Sequence, residues 1–315
     1  MVSRGRGFEM RMFLSSFSVI VLAGILPAGS KAQLCCTTGS AAASAYDIGV
    51  IPSGSFRLSL GYEYNSLNDA YSGREKIVDP LARQGFVRTI TLRTHYGISS
   101  RWGLSFSLPY LNTSRTYTGG GTFAASGIGD AALLIKYSLL KLNVVTNREL
   151  AMGAGLKAPT GATDKIDDGT PLSFDLQPGT GAWDVLFWAY YFKAFPFSRW
   201  SGMASAVVKF SDNGGNGLRY GNEIGYSLLA SRRLSDQWQI SLRLKGRTSR
   251  AATMNGYEIF GTGGTILFSA PGFIYSPSRF LSIEAGIDLP VYYSVTGIQQ
   301  ALSYRSFFDI ALHLD

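Results

Sequence analysis

Residues 92–109 limit the fold most strongly, because they hold two runs of alternating apolar and polar residues around a short turn at 99–101. Side chains of a strand point alternately to opposite faces, so each run has one apolar face and one polar or small face. In the second run, Trp102 and Leu104 stand on the apolar face and Ser105 on the other. The short connection predicts an antiparallel hairpin.

Similar alternating runs fill the chain from residue 51 onward. They number about twelve, and each has the ~10 residues of a tilted strand that crosses a bilayer. Their connections alternate in length: 99–101 is short, whereas 66–85 and 159–181 are long. The pattern predicts an all-β fold, a transmembrane antiparallel up-and-down barrel of about 12 strands with short periplasmic turns and longer extracellular loops. The strands of a soluble β-sandwich would also alternate apolar and polar residues, but nothing in a sandwich requires long and short connections to alternate.

Composition agrees with strands that face lipid. Only 16% of the residues are charged, against about 25% in an average soluble domain. In hydrocarbon each unpaired backbone group costs several kcal/mol, so a lipid-facing sheet must close on itself. A Lys or Arg on the lipid face would cost ~2–4 kcal/mol at the midplane, which confines charge to the interior.

The N-terminus has the features of an export signal. Arginines precede the apolar run 12–26, and 30–32 offers a cleavage site with small residues. We therefore predict a signal peptide at 1–32, an N-terminal periplasmic segment at 33–54 and an outer-membrane β-barrel at 55–315. This organisation predicts localisation in the outer membrane of a Gram-negative-type bacterium.

Charged strand residues fall on the face opposite the apolar one, so they are expected to line the lumen. One interpretation is a salt-bridged interior that only supports the wall; the other is a basic-leaning pore that attracts anionic or polarisable solutes. The predicted lumen-lining residues are Arg57, Glu63, Arg93, His95, Lys136, Lys157, Lys209, Arg219, Glu223, Arg243, Lys245, Glu284 and Asp288.

An aromatic residue follows each of several short polar turns. An amphipathic ring is favoured at the headgroup level of a membrane barrel. The alternative is ordinary hairpin chemistry followed by a core aromatic. The predicted periplasmic aromatic girdle consists of Trp102, Trp200, Trp238 and Phe280.

Local motifs also occur in a characteristic order. They are Tyr96-Gly97-Ile98 through Pro109-Tyr110, Gly127-Ile128-Gly129-Asp130 with Lys136-Tyr137, Gly155-Leu156-Lys157-Ala158-Pro159-Thr160-Gly161, and Leu176-Gln177-Pro178-Gly179-Thr180-Gly181-Ala182-Trp183-Asp184. Together they resemble the MetA-pathway of phenol degradation family, from Tyr46 to the C-terminus. The resemblance implies a transporter-like outer-membrane barrel that takes up small aromatic or hydrophobic compounds, and it implies no catalytic residues.

The predicted function is an outer-membrane channel or transporter for passive uptake of small molecules, aromatic, hydrophobic or anionic. Its expected partners are outer-membrane lipid, the solute and the outer-membrane assembly machinery, with no nucleic acid. One alternative is a structural or surface-interaction barrel without transport. Another is a lipid hydrolase built on His95 with Ser105 and Ser107, although the chain is expected not to be an enzyme.

Metal and cofactor sites are not predicted. No His/Cys/Asp cluster has metal-ligand spacing, and the triple glycine 119–121 lacks the lysine and helix of a phosphate loop. Cys35 and Cys36 fall in the expected N-terminal tail, to which we assign no chemistry. The loop 159–181, bracketed by Pro159 and Pro178-Gly179, is expected to fold toward the barrel mouth.

Overall fold

The computed structural model describes residues 47–143, 145–214 and 217–314. The predicted signal peptide, Cys35 and Cys36 lie outside the described residues. The wall consists of twelve strands in chain order. They are β1 (Phe56–Leu67), β2 (Gln84–Gly97), β3 (Trp102–Tyr117), β4 (Ala131–Leu140), β5 (Arg148–Ala158), β6 (Asp184–Phe195), β7 (Trp200–Ser211), β8 (Glu223–Arg233), β9 (Trp238–Ser249), β10 (Gly264–Ser278), β11 (Leu281–Ala301) and β12 (Tyr304–Leu314).

The sheet closes because each strand pairs antiparallel with the next and β12 pairs with β1. The closing register runs from Phe56 opposite Leu314 to Ser66 opposite Tyr304. Within the described residues, every wall strand therefore has a hydrogen-bonded neighbour on both sides. The predicted all-β antiparallel barrel of about twelve strands is confirmed.

Alternation fixes which side chains face outward. In β4, Leu133 and Ile135 are 45% and 49% exposed, whereas Leu134 and Lys136 between and beside them are each 1% exposed. The same period of two recurs around the wall, so the outer surface is a belt of apolar side chains. Such a belt matches the hydrocarbon layer of a bilayer.

The two rims differ as the connection lengths predict. Short turns at 98–101, 196–199 and 234–237 lie on one rim. The turn at 196–199 contains the 3-10 element Pro196–Ser198. Longer loops on the other rim contain the remaining strands. These are Asp69–Gly73, Glu75–Ile77, Gly121–Ile128, Ile166–Asp167, Thr170–Pro171, Leu218–Arg219, Thr253–Met254 and Tyr257–Glu258.

Prolines mark the places where the ladder is irregular. Pro271 in β10 pairs with Leu242 of β9. On the other side of β10, the ladder with β11 has a gap between Ser269 and Gly272. Proline has no N–H to donate, so it is tolerated where one ladder is interrupted. This interruption explains why the sequence around Pro271 alternates poorly.

Among the described residues, no helix is long and apolar enough to span a membrane.

Candidate functional site: the barrel interior

Most of the predicted lumen-lining side chains point into the barrel. Arg57, Glu63, Arg93 and Glu284 are half-buried there. The fully buried members are His95, Lys136, Lys157, Lys209, Glu223, Arg243, Lys245 and Asp288. Their role in solute passage stays a prediction.

Arg219 is the exception, and its predicted place in the lumen is wrong. The β8 ladder begins only at Glu223, and Arg219 belongs to a separate short strand opposite Thr253. Its exposed side chain donates from Nε to the Ser211 carbonyl at 3.0 Å. Residues 220–222 between the two strands are not in a strand, so the alternation does not continue into β8. A Cβ at Gly221 would collide with the Arg250 carbonyl.

One ion-pair cluster lies below the long loop between β5 and β6. Lys157 Nζ is 2.6 Å from Asp130 Oδ2 and 3.2 Å from Asp184 Oδ2, and it donates to Thr180 Oγ1 at 2.5 Å. All four side chains are buried. A buried charge needs such partners, because desolvation without them costs several kcal/mol.

A second ion-pair cluster connects strands β9, β11, β12 and β1. Lys245 Nζ lies 3.0 Å from Asp288 Oδ1, and Arg305 Nη1 lies 3.3 Å from Asp288 Oδ2. Arg305 also reaches Glu63 at 3.9 Å, which ties β12 to β1. Nearby, Glu223 pairs with Lys209 and Arg247, at 3.6 and 3.0 Å.

Acids equal cations in number across this interior, so in the part of the chain that the structure describes the network is not basic-leaning. The cations are Arg57, Arg93, Arg115, Lys136, Lys157, Lys209, Arg243, Lys245, Arg247 and Arg305; the acids are Asp47, Glu63, Asp130, Glu149, Asp175, Asp184, Glu223, Glu284, Asp288 and Asp309.

The chain just before β1 lies inside the barrel, where a periplasmic segment was expected. Asp47 accepts hydrogen bonds from inward-facing hydroxyls, and Lys136 Nζ donates to the Ile48 carbonyl at 2.6 Å. Val50 N–H donates to Glu149 Oε1 at 2.8 Å. The segment passes Gly97 so closely that a Cβ there would collide with the Pro52 carbonyl. Residues 47–50 therefore occupy part of the lumen, from the middle of the wall at Asp47 toward the short-turn rim.

A cavity borders this segment. Arg57, Arg93 and Asp309 line it, together with the ring of Phe307. Arg93 Nη1 pairs with Asp309 Oδ2 at 2.7 Å, and Arg57 Nη1 lies 3.1 Å from His313 Nε2. The cavity thus combines ionic side chains with an aromatic one.

Part of the interior near the long-loop rim is apolar, which the sequence did not predict. Tyr71 stacks on Tyr293 with ring centroids 4.3 Å apart, and Phe268 meets Tyr293 edge-on at 6.5 Å. The signal was present in the sequence as apolar residues on the inward phase near the long-loop ends of the strands. The buried members of this mouth cluster are Leu67, Val87, Leu111, Ile266, Phe268, Tyr293, Val295, Ala301 and Leu302.

The loop 159–181 folds against the inner wall, as expected from its length and its prolines. Asp175 pairs with Arg115 at 2.6 Å, and Thr113 Oγ1 donates to the Leu176 carbonyl at 3.0 Å. Gln177 bridges the loop internally by bonding both the N–H and the carbonyl of Lys165. The backbones meet so closely at Gly161 that a Cβ there would collide with Gly179.

His95 and Ser105 form a buried pair between β2 and β3. His95 Nδ1 lies 2.7 Å from Ser105 Oγ, and Nε2 has no hydrogen-bond partner among the described residues. A hydrolytic triad needs a third group that orients the imidazole through its second nitrogen. The pair therefore satisfies polar groups of the interior and lacks the geometry of a triad.

The four predicted girdle aromatics lie on the outer surface beside the short turns, and each is roughly half exposed. Trp102 packs on Tyr137 with ring centroids 4.7 Å apart, and Trp238 stacks on Tyr275 at 4.5 Å. Arginines lie over Trp200 and Phe280. Their contact with lipid headgroups stays a prediction.

Within the described ranges, no group of His, Cys, Asp and Glu side chains has the arrangement of a metal site.

Comparison with known proteins gives a family and a fold. The model of the MetA-pathway of phenol degradation family matches residues 82–285. The structure is similar to the crystal structure of an outer membrane channel from Pseudomonas putida F1, with a TM-score of 0.67 at 15% identity over 85% of this chain and 98% of that chain. The CymD monoaromatic hydrocarbon channel gives a TM-score of 0.45 at 12% identity over 84% of this chain and 89% of that chain, too low to support an argument. No curated protein matches the sequence.

The closed sheet and its apolar belt are those of an outer-membrane barrel, and the outer membrane is the location of this chain.

Proposed function

The chain belongs to the MetA-pathway of phenol degradation family, and from that premise we propose that it is an outer-membrane channel for passive uptake of small aromatic or hydrophobic molecules. One observation carries the proposal. The barrel interior combines an apolar cluster at the long-loop ends of several strands with buried ion pairs beside it, and it keeps a cavity lined by ionic side chains and Phe307. The similar structure from Pseudomonas putida is itself described as an outer membrane channel.

The mouth cluster gives such a solute a favourable first contact. Removing apolar surface from water is worth roughly 25 cal/mol per Å², so an aromatic ring is expected to partition into the space around Phe268 and Tyr293. The paired charges beside this cluster offer polar contacts without a large net field. Passage to the periplasm then requires the segment at 47–50 to move aside.

Planar-bilayer recording tests the proposal. Conductance steps from the refolded barrel are expected, and proteoliposomes should take up phenol faster than vesicles without protein. Heat-unfolded protein from the same preparation is the control. A correctly folded barrel that stays electrically silent and leaves phenol uptake unchanged would contradict the proposal and favour a structural or surface-interaction role.

The proposal includes no catalysis. The His95–Ser105 pair has no orienting acid on its second nitrogen among the described residues. Native protein is therefore expected to release no fatty acid from phospholipid vesicles. Hydrolysis that disappears in His95→Ala would contradict this part of the proposal. Recognition by the outer-membrane assembly machinery belongs to the proposal as well.

A further inference from the structure

Asp47 is held by three side chains from three neighbouring strands. Ser205 Oγ of β7 donates to Asp47 Oδ1 at 2.5 Å, and Ser227 Oγ of β8 donates to Oδ2 at 3.1 Å. Arg243 Nε of β9 lies 3.5 Å from Oδ2. Each carboxylate oxygen thus has its own hydroxyl donor, and a guanidinium lies beside the pair. This donor set is complementary to a carboxylate group.

The wall builds these donors without help from Asp47. Ser205 and Ser227 stand directly opposite each other in the β7–β8 register, so their hydroxyls are neighbours on the inward face. Arg243 is fixed on the next strand by Glu284, at 3.0 Å. All three donor residues are buried, and Ser227 is 0% exposed. The geometry is set by the ladder of the barrel.

Asp47 belongs to a segment that lies outside the sheet. Besides Asp47, hydrogen bonds at Ile48, Gly49 and Val50 attach the segment to Lys136, Tyr190 and Glu149. If the segment withdrew, the buried hydroxyls of Ser205 and Ser227 would lose Asp47 as their acceptor. The Arg243 guanidinium would lose Asp47 and keep Glu284. Buried donors without acceptors cost ~1–3 kcal/mol each, so the empty site would favour another carboxylate.

The surroundings suit a carboxylate on a small aromatic ring. Asp47 and Arg243 line the cavity together with Phe307. Lys245 Nζ lies over the Phe307 ring, 4.6 Å from its centroid. A flat ring attached to the carboxylate would therefore have an aromatic neighbour in Phe307.

We propose that Ser205, Ser227 and Arg243 form a binding site for small aromatic monocarboxylates, which Asp47 of the same chain occupies as a tethered substitute. A solute carboxylate and the segment at 47–50 then compete for one site. The role of this competition in passage depends on the proposed channel function, whereas the binding site itself does not.

Calorimetric titration of the folded, detergent-solubilised full chain with benzoate tests the proposal. A tethered group acts at an effective concentration in the millimolar range, so Asp47→Ala is expected to bind benzoate at least about tenfold more tightly than the native protein. Asp47→Asn, which keeps the side-chain volume, should show a gain in the same direction. Benzamide, the neutral isostere, should show no such gain.

The gain must depend on the wall donors. Ser205→Ala with Ser227→Ala, in the Asp47→Ala background, should abolish it. Ser231→Ala is the matched control, because Ser231 faces inward on the same strand but bonds Ser201. Equal benzoate affinity in native and Asp47→Ala protein, or a gain that survives loss of both hydroxyls, would overturn the proposal.

Calorimetry also separates this proposal from the proposed function. Binding with silent bilayers would remove the channel and leave the carboxylate site. Conductance steps in a protein whose Asp47→Ala variant gains no benzoate affinity would remove the site and leave the channel.

Discussion

Lys157 shows what a single residue contributes to this interior. Its ammonium is the only cation paired with either Asp130 or Asp184 among the described ion pairs. Lys157→Met would leave two buried carboxylates without that partner, and removing one member of a buried ion pair costs about 3–5 kcal/mol. We expect a clear loss of unfolding free energy, measured by urea denaturation of the barrel in lipid vesicles.

Lys141 supplies the control for this experiment. It is an exposed lysine in a short turn, where its ammonium donates to Ser100 Oγ. Exposed polar contacts of this kind are worth about 0–1 kcal/mol, so Lys141→Met should unfold at nearly the native urea concentration. Equal destabilisation by both substitutions would contradict the importance of the Lys157 cluster.

Asp79 makes the extracellular loop at 79–83 sensitive to pH. Burial favours its neutral form, but hydrogen bonds from the Arg83 side chain and from the backbone N–H groups of Arg83 and Leu81 outweigh that effect and lower the pKa of Asp79 below its ordinary 3.8. A lowered pKa stabilises the loop above pH 3.8, and this stability is lost as pH falls through the folded pKa.

Amide hydrogen exchange measures that loss. Protection of the loop amides, corrected for the intrinsic rate, should fall on acidification from above the ordinary pKa to below the folded one. Asp79→Asn should remove most of the pH dependence, because its side chain does not titrate in this range. A pH dependence that persists in Asp79→Asn would show that another group is responsible.

At the residue scale, the sequence predicts the face of a side chain better than its partner. Strand alternation has a period of two, so one apolar face places Arg93 or Lys245 inside without further knowledge. Partners come from elsewhere in the chain. Asp130 stands just before β4, and Asp47 precedes the first strand. Both acids lie outside the wall strands, so the alternation of those strands does not give the balance of charge.

At the element scale, the loop 159–181 is the part of the structure most open to a test. Its residues at 175–177 are fixed to the inner wall through Arg115 and Thr113. Residues 163–172 extend beyond this attachment, and they contain the short strands Ile166–Asp167 and Thr170–Pro171. Their deletion should widen the mouth and raise single-channel conductance while the attachment at 175–177 keeps the barrel folded.

A deletion in another loop distinguishes a wider mouth from a general loss of order in the loops of this rim. Removing part of the exposed hairpin at Thr253–Met254 and Tyr257–Glu258 shortens a loop of the same rim without touching Arg115 or Thr113. Unchanged solute flux after deletion of 163–172, or an equal rise after both deletions, would contradict a constriction by this loop.

Strand boundaries were harder to predict than strand existence. Leu218 and Tyr220 alternate with Arg219 as in a strand, but they are buried in a small cluster with Ala252 at the long-loop rim. Tertiary packing of the loops therefore imitates the pattern of a wall strand. In β6, Leu186, Trp188 and Tyr190 are apolar yet face inward, so both faces of this strand are apolar and its sequence does not show which face is inside.

At the scale of the whole molecule, two kinds of interior replace the uniform polar lumen that alternation suggests. Apolar residues fill the inward phase on one part of the wall, and ion pairs fill it beside them, since Lys245 is the register partner of Phe268. Both satisfy the same rule of alternation, since period two says only that a side chain faces inward. Which solute the barrel admits depends on how these two kinds of surface are arranged around the interior, and that arrangement follows from the three-dimensional fold.

Balanced charge in the interior leads to a prediction about ion selectivity. Strong selection for anions or cations requires an excess of one sign along the pore, whereas Glu223 and Asp288 each pair with two cations and Lys157 pairs with two acids. We expect a reversal potential close to zero in a potassium chloride gradient. Glu63→Gln removes one half-buried acid, so it should shift the reversal potential toward anion selectivity. A strongly anion-selective native channel would instead mean that the acids of this network are not exposed to the conducting path.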